Sequence, residues 1–141
     1  TLHFPTTSGD LLVILCGLCA IFGHVFPVYL GFKGGKAVAT SFGVFIWLAP
    51  LSLAIAMVIW IVTVIVFRYV SLGSIIGSLS IFGCIIVLES DPFGSGLYLT
   101  CLSVVVATLI IVRHRTNIQR IVSGTETKIF SKKQQKQQAV L

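Results

Sequence analysis

The chain has 141 residues, of which 56% are hydrophobic and only 10% charged, and its mean hydropathy is +1.04. That composition excludes a soluble domain and indicates an all-α integral membrane protein. The net charge of +6 fits basic loops facing anionic lipid and gives no reason to expect a nucleic-acid partner.

The chain begins at Thr1 with neither a Met nor a charged leader, so no signal peptide is visible and an N-terminal part is expected to be missing. Leu11 to Leu30 is an uncharged run long enough to cross a bilayer once, with His24 and Pro27 near its far end. Cys16-Gly17-Leu18-Cys19 has CxxC spacing, but its surroundings are wholly apolar. Cys84 and Cys101 also lie in apolar runs. Metal or redox chemistry needs polar, accessible thiols, so all four cysteines read as packing residues.

The first span ends in Phe32-Lys33-Gly34-Gly35-Lys36-Ala37, a glycine pair between two lysines. Lysines are costly inside a bilayer, and backbone amides flanked by cations suit a phosphate at its surface. The turn is not a nucleotide P-loop: it is one residue short of that spacing, and Ala37 replaces the magnesium-binding Ser/Thr.

The uncharged run Val38 to Phe67 is interrupted by Pro50 and decides the topology. One crossing would put Lys33 and Lys36 on the opposite side from Arg68 and the basic residues from Arg113 onward. Two crossings, turning near Pro50, put all ten Lys and Arg on one side and leave Asp10, Glu89 and Asp91 on the other. The positive-inside rule selects the second arrangement. Each pass is then about 22 Å long at ~1.5 Å per residue, so this middle pair is expected to be short.

Leu72 to Leu88 is the next span, ended by the turn Glu89-Ser90-Asp91-Pro92-Phe93-Gly94, and Leu97 to Val112 is the last, closed by Arg113-His114-Arg115. About five crossings result, with the N-terminus outside and the C-terminus cytoplasmic. Residues 1–130 read as a single polytopic membrane domain, N-terminally incomplete, and residues 131–141 as a basic, solvated, disordered cytoplasmic tail.

This topology gathers Lys33, Lys36, Arg68, Arg113, Arg115 and Arg120 into a basic floor, with His24, His114, Asn117 and Glu126 among them. A phosphorylated, water-soluble substrate could bind there while an acyl chain enters from the bilayer. His114 and Asn117, three residues apart, share a helix face, although a polar cluster at a helix end would look the same.

Two longer motifs carry a family resemblance. Gly23-His24-Val25-Phe26-Pro27-Val28-Tyr29-Leu30-Gly31-Phe32-Lys33-Gly34-Gly35-Lys36-Ala37-Val38-Ala39-Thr40 resembles the GHxFPxxLxFKGGKGVAT motif of the bacterial acyl-phosphate:glycerol-3-phosphate acyltransferases, the PlsY family. Arg113-His114-Arg115-Thr116-Asn117-Ile118-Gln119-Arg120-Ile121, with Gly124, Glu126 and Lys128, resembles that family's RHxxNIxRLxxGxExK motif. Ala37 stands where the family usually has a third glycine. The family's first cytoplasmic motif, SGNxGATNxxR, is absent, as are the two further helices with which that seven-helix family begins. The chain therefore resembles an N-terminally truncated member, expected to be inactive or nearly so by itself.

The resemblance implies transfer of an acyl group from acyl phosphate to the 1-hydroxyl of glycerol 3-phosphate, forming lysophosphatidic acid and phosphate. It implies no cofactor, no metal, no covalent acyl-enzyme, a monomer, and location in the bacterial inner membrane. By that implication Lys36 and the Gly34 and Gly35 amides hold a phosphate, and His114 and Asn117 position glycerol phosphate or the leaving group. Glu126 orients neighbouring cations, while Lys33, Arg113 and Arg115 contribute field around the phosphates. His24 reads as capping or packing the helix end. Two other readings stay open: a small transporter or channel subunit for phosphorylated solutes, and a non-catalytic membrane fragment. The transporter reading lacks the mid-membrane charge that a permeation path normally shows.

Overall fold

A computed structural model describes residues 8–32 and 34–129; Lys33 and the tail from residue 131 lie outside the described residues. Among the described residues six α-helices follow one another: α1 (Ser8–Val25), α2 (Val38–Leu48), α3 (Pro50–Phe67), α4 (Val70–Leu88), α5 (Leu97–Arg113) and α6 (Arg115–Val122). A single 3₁₀ turn, Val28–Leu30, lies between α1 and α2.

Pro50 opens α3 at its first turn, where a missing N–H costs nothing, and Ala49 breaks the ladder before it with φ −146° and ψ 63°. The start of α2 and the end of α3 both meet the segment after α5. Lys36 bonds Asn117 there, and the Ile129 amide donates to the Arg68 carbonyl at 2.9 Å. The chain therefore runs out along α2 and returns along α3, as the charge pattern required. The expected pair of equally short helices is corrected. Only α2 is short, with 11 residues or about 16 Å, whereas α3 has 18.

By length and composition α1, α3 and α4 can each cross a bilayer, and α5 with α6 forms a further span if the bent pair counts as one. The protein is a multi-pass membrane protein. Its outer surface is apolar: Leu15, Ile46, Val58, Ile65, Val66 and Val87 are all exposed. Lipid solvates such side chains, so they need no protein partner.

Small residues set the helix packing. α3 and α4 form the closest pair, and α4 presents Ser71, Gly73, Ser74, Gly77 and Ser78 to the interior. A Cβ on Gly73 would stand 2.6 Å from Val64, so glycine lets the two backbones approach. On α5 the buried residues Ser103, Val106, Ala107 and Ile110 recur every three to four positions, which faces one stripe of the helix inward. Together with Ile21, Phe45 and Ile85 these residues build the core.

The cysteines form no disulfide, and Cys16, Cys19 and Cys101 are exposed, with Cys84 half-buried. Their apolar setting is thus the outside of the bundle, which corrects the packing reading. At the end opposite the basic cluster, the Asp91 carboxylate accepts the Gly94 and Ser95 amides at 3.0 and 2.9 Å and ties the loop before α5.

Candidate active site

The polar site sits where α1, α2, α4 and α5 end or begin on one face. α5 stops at Arg113, and α6 departs at 55° to it, which carries an amphiphilic turn across that face. His114, at the bend, is 3% exposed. Its Nδ1 lies 2.8 Å from the Ile110 carbonyl and must donate to it, leaving Nε2 unprotonated in the neutral ring. Burial lowers the His114 pKa below its ordinary value, and Lys36 adds to that; the Ile110 bond and Glu126 oppose it without prevailing.

Glu126 is brought back to the site by Gly124, whose φ of +70° ends α6 in the left-handed region. The amides of Thr125 and Glu126 then both donate to the Arg120 carbonyl, at 2.8 and 3.1 Å. The carboxylate becomes a hub. Oε1 accepts from Asn117 Nδ2 at 2.7 Å and from Ser71 Oγ at 2.9 Å, while Oε2 accepts from Arg120 Nε at 2.7 Å. Burial works to raise the Glu126 pKa. The donors Asn117, Arg120 and Ser71 outweigh it and hold the group below its ordinary value.

Asn117 is 5% exposed and relays this order to Lys36, whose Nζ donates to Asn117 Oδ1 at 2.7 Å. The amide orientation follows from its partners, since an ammonium can only donate and a carboxylate only accept. One of the three Lys36 protons is used in this bond. Among the described residues the others have no acceptor, so they are free to meet a ligand oxygen.

The glycine pair has a steric job that the expected phosphate contact did not include. The Gly35 amide donates to the His24 carbonyl at 3.2 Å, so it does not point at a phosphate. A Cβ on Gly34 would run into the His24 and Val25 carbonyl oxygens, and one on Gly35 into the His24 ring. The glycines are there because the turn crosses the end of α1 in close contact. His24 accordingly packs against this turn, as expected.

Arg113 locks the same turn from the other side. Its Nη2 and Nε donate to the Gly34 and Gly35 carbonyls at 2.7 and 3.1 Å, and the guanidinium lies 6.0 Å from the centroid of the Phe26 ring. Two of its five N–H donors thus hold backbone, in the planar fork that only an arginine offers, a role that the expected phosphate binding and field did not include. Ala37 follows at φ +67°, where the motif usually carries glycine; a side chain there costs about 1 kcal/mol.

The remaining expectations divide. Lys36, His114, Asn117 and Glu126 converge as expected. Arg115 and Arg68 are exposed, and no side-chain hydrogen bond joins either to the network among the described residues. Lys33 lies outside them. Sequence reading missed Ser71, because a serine in an apolar run resembles any other small packing residue. The one available signal was its position three residues after Arg68, in the first turn of α4. Lys128 also has a concrete partner, the Tyr69 ring at 5.5 Å, and it helps pin the loop after α6. No three His, Cys, Asp or Glu side chains among the described residues form a metal-holding group.

An apolar cavity of about 420 Å³ reaches up to this cluster between α2, α3, α4 and α5. Val38 and Ala39, two and three residues after Lys36, line it, as do Ile110, which holds His114, and Ser74, one turn beyond Ser71. Deeper in the bundle Trp60, Met57 and Phe45 form its walls.

The two depressed pKa values have a testable consequence. In each case the unfolded state binds a proton at a higher pH than the folded state, so stability is lost on acidification. For His114 the loss begins as pH falls below 6.5, and for Glu126 below 4.5. Thermal melts in detergent should show a stability decline in these two steps. Glu126→Gln should abolish the lower one; a lower step unaltered by that substitution would contradict the hub role of the carboxylate.

Comparison with known proteins agrees with this architecture. The family profile described as glycerol-3-phosphate acyltransferase matches residues 2–124. "Glycerol-3-phosphate acyltransferase 2" of Bacillus anthracis is 42% identical over 122 residues, covering 86% of this chain and 61% of the relative. The glycerol-3-phosphate acyltransferase of Geotalea daltonii is 45% identical over 117 residues, 83% of this chain and 58% of its own length. Two crystal structures of PlsY, an integral membrane glycerol 3-phosphate acyltransferase, are similar in fold. The glycerol 3-phosphate form has a TM-score of 0.78 and 35% identity over 84% of this chain and 57% of that one. The lysophosphatidic acid form has a TM-score of 0.76 and 36% identity over 84% and 58%. The chain thus spans about three-fifths of the length of the relatives it matches. With both motifs folded into one polar cluster beside an apolar cavity, and the profile match running over most of its length, the chain belongs to the glycerol-3-phosphate acyltransferase family.

Proposed function

We propose that the protein transfers an acyl group from acyl phosphate to the 1-hydroxyl of glycerol 3-phosphate, in the bacterial inner membrane with the basic face toward the cytoplasm. One observation carries this reading: a cationic, hydrogen-bonded cluster stands beside an apolar cavity large enough to take part of an acyl chain. Both substrates are phosphorylated and one is also a lipid, so they need those two environments side by side. The glycerol 3-phosphate and lysophosphatidic acid forms of PlsY support the same pairing of ligands.

In the proposed reaction the hydroxyl oxygen attacks the acyl carbonyl carbon, and a tetrahedral oxyanion forms. The bond from that carbon to the phosphate oxygen then breaks, phosphate leaves with the electron pair, and the hydroxyl proton passes to phosphate. No acyl-enzyme, metal or cofactor takes part, and the protein acts as a monomer. Lys36 neutralises phosphate charge with its two free N–H groups. His114, kept neutral by burial, offers Nε2 as an acceptor that orients the attacking hydroxyl. Asn117 and Glu126 hold Lys36 in place, and Arg113 fixes the turn on which it rides.

The test is phosphate release from palmitoyl phosphate by the full-length gene product in membranes. Release should depend on glycerol 3-phosphate and match lysophosphatidic acid formed mole for mole. Uptake of glycerol 3-phosphate into proteoliposomes without any acyl transfer would instead identify a transporter.

A further inference from the structure

Ser41, on the second turn of α2, is 2% exposed, and its Oγ has no hydrogen-bond partner among the described residues. No other buried side-chain nitrogen or oxygen there is in that state. Six other helical hydroxyls behave differently. Thr63, Ser74, Ser78, Ser80, Ser103 and Thr108 each donate to a carbonyl three or four residues back, at 2.7 to 3.0 Å. Only the backbone amide of Ser41 bonds the carbonyl four residues back, that of Ala37. An unsatisfied buried hydroxyl costs about 1–3 kcal/mol, so its retention calls for a partner that arrives from elsewhere.

Its location indicates what that partner is. Ser41 lines the apolar cavity one helical turn below Val38, which lies at the rim beside Lys36. One turn is about 5 Å along the helix. If Lys36 holds the phosphate at the rim, the atoms at the depth of Ser41 are the first of the acyl group. An acyl group carries a single polar atom there, its carbonyl oxygen, and that oxygen can only accept.

We propose that Ser41 Oγ–H donates to the acyl carbonyl oxygen and stabilises the negative charge that develops on it when the glycerol hydroxyl attacks. This rests on the acyl-transfer reading given above. It assigns Ser41 as a catalytic residue outside both the glycine-lysine and the His114–Asn117 segments. The donor stands among apolar side chains, where such a bond gains strength as charge builds.

Ser41→Ala in the full-length protein tests this. The substitution removes an unsatisfied group and favours helix, so the melting temperature should stay level or rise. The kcat with palmitoyl phosphate should fall on the order of 10²-fold, while KM for glycerol 3-phosphate stays near that of the parent. A binding measurement needs no turnover. The parent should prefer 1-acyl lysophosphatidic acid over its 1-alkyl ether analogue, which lacks the carbonyl, by about fivefold, and Ser41→Ala should bind the two equally. A lower melting temperature would mean that the hydroxyl has a structural partner and would overturn the proposal. So would parent-level kcat, or an ester preference equal in both proteins. If the parent itself transfers no acyl group, the acyl-transfer reading falls, and the ester-against-ether comparison still decides whether Ser41 meets a carbonyl.

Discussion

Lys36→Ala is expected to reduce acyl transfer by on the order of 10²-fold or more, with little loss of stability. The Lys36 ammonium is held by one amide oxygen and keeps two protons for a ligand, whereas Arg113 is anchored on the Gly34 and Gly35 carbonyls and Arg120 on Glu126. Removing it leaves developing phosphate charge without its nearest counter-charge. The fold loses the bond to the buried Asn117 Oδ1, but Lys36 is itself exposed, so water can reach the freed oxygen through the vacated space and the stability cost should stay near ~1 kcal/mol. Lys36→Arg should not restore full activity, since a planar fork cannot reproduce a compact ammonium held by one amide oxygen. Steady-state kinetics with a thermal melt on the same preparations would measure both sides. Parent-level turnover in Lys36→Ala would remove the residue from the mechanism.

Gly34→Ala should have the largest effect on stability. Its new methyl group would strike the carbonyl oxygens of His24 and Val25, and these backbone atoms at the end of α1 cannot rotate away. Relief requires lifting the turn off α1, which also breaks the Arg113 bonds to Gly34 and Gly35 and moves Lys36. A cost of about 3 kcal/mol or more is expected, lowering the melting temperature on the order of 10 °C. Gly35→Ala is the informative contrast. Its methyl group meets the ring of His24, an exposed side chain that can turn aside, so the loss should be smaller. Adding His24→Ala to Gly35→Ala should recover most of it. Equal tolerance of alanine at both positions would show that close contact is not why this turn carries two glycines.

These two predictions rest on different kinds of legibility. Lys36 was readable from the chain, because a lysine next to an apolar run must lie at the membrane surface and the charge pattern put it beside His114 and Asn117. The role of the glycines was not. Glycine pairs suggest free amides, and only the approach of α1 shows that the Gly35 amide is taken and that space excludes a side chain. The clamp made by Arg113 was hidden for the same reason. Sequence shows its charge but not that two carbonyls from a turn nearly eighty residues earlier lie within its reach. The unequal lengths of α2 and α3 were hidden as well. Lipid accepts apolar side chains on every outward face, so the run Val38–Phe67 has no periodicity to mark where each helix stops.

The amino-acid sequence by itself determined the membrane class, the turn at Pro50, the side on which the cations gather, and the two motifs that resemble an acyltransferase. These follow from local rules: the cost of charge in hydrocarbon, the missing N–H of proline, and residue identity at fixed spacing. The tertiary structure alone decided how those parts act on one another. It gave Glu126 its three donors, turned Arg113 into a clamp on the Lys36 turn, and left Ser41 without a partner in the wall of the apolar cavity. A hydrogen bond depends on distances of a few tenths of an ångström between segments far apart in the chain, and packing, not composition, sets those distances.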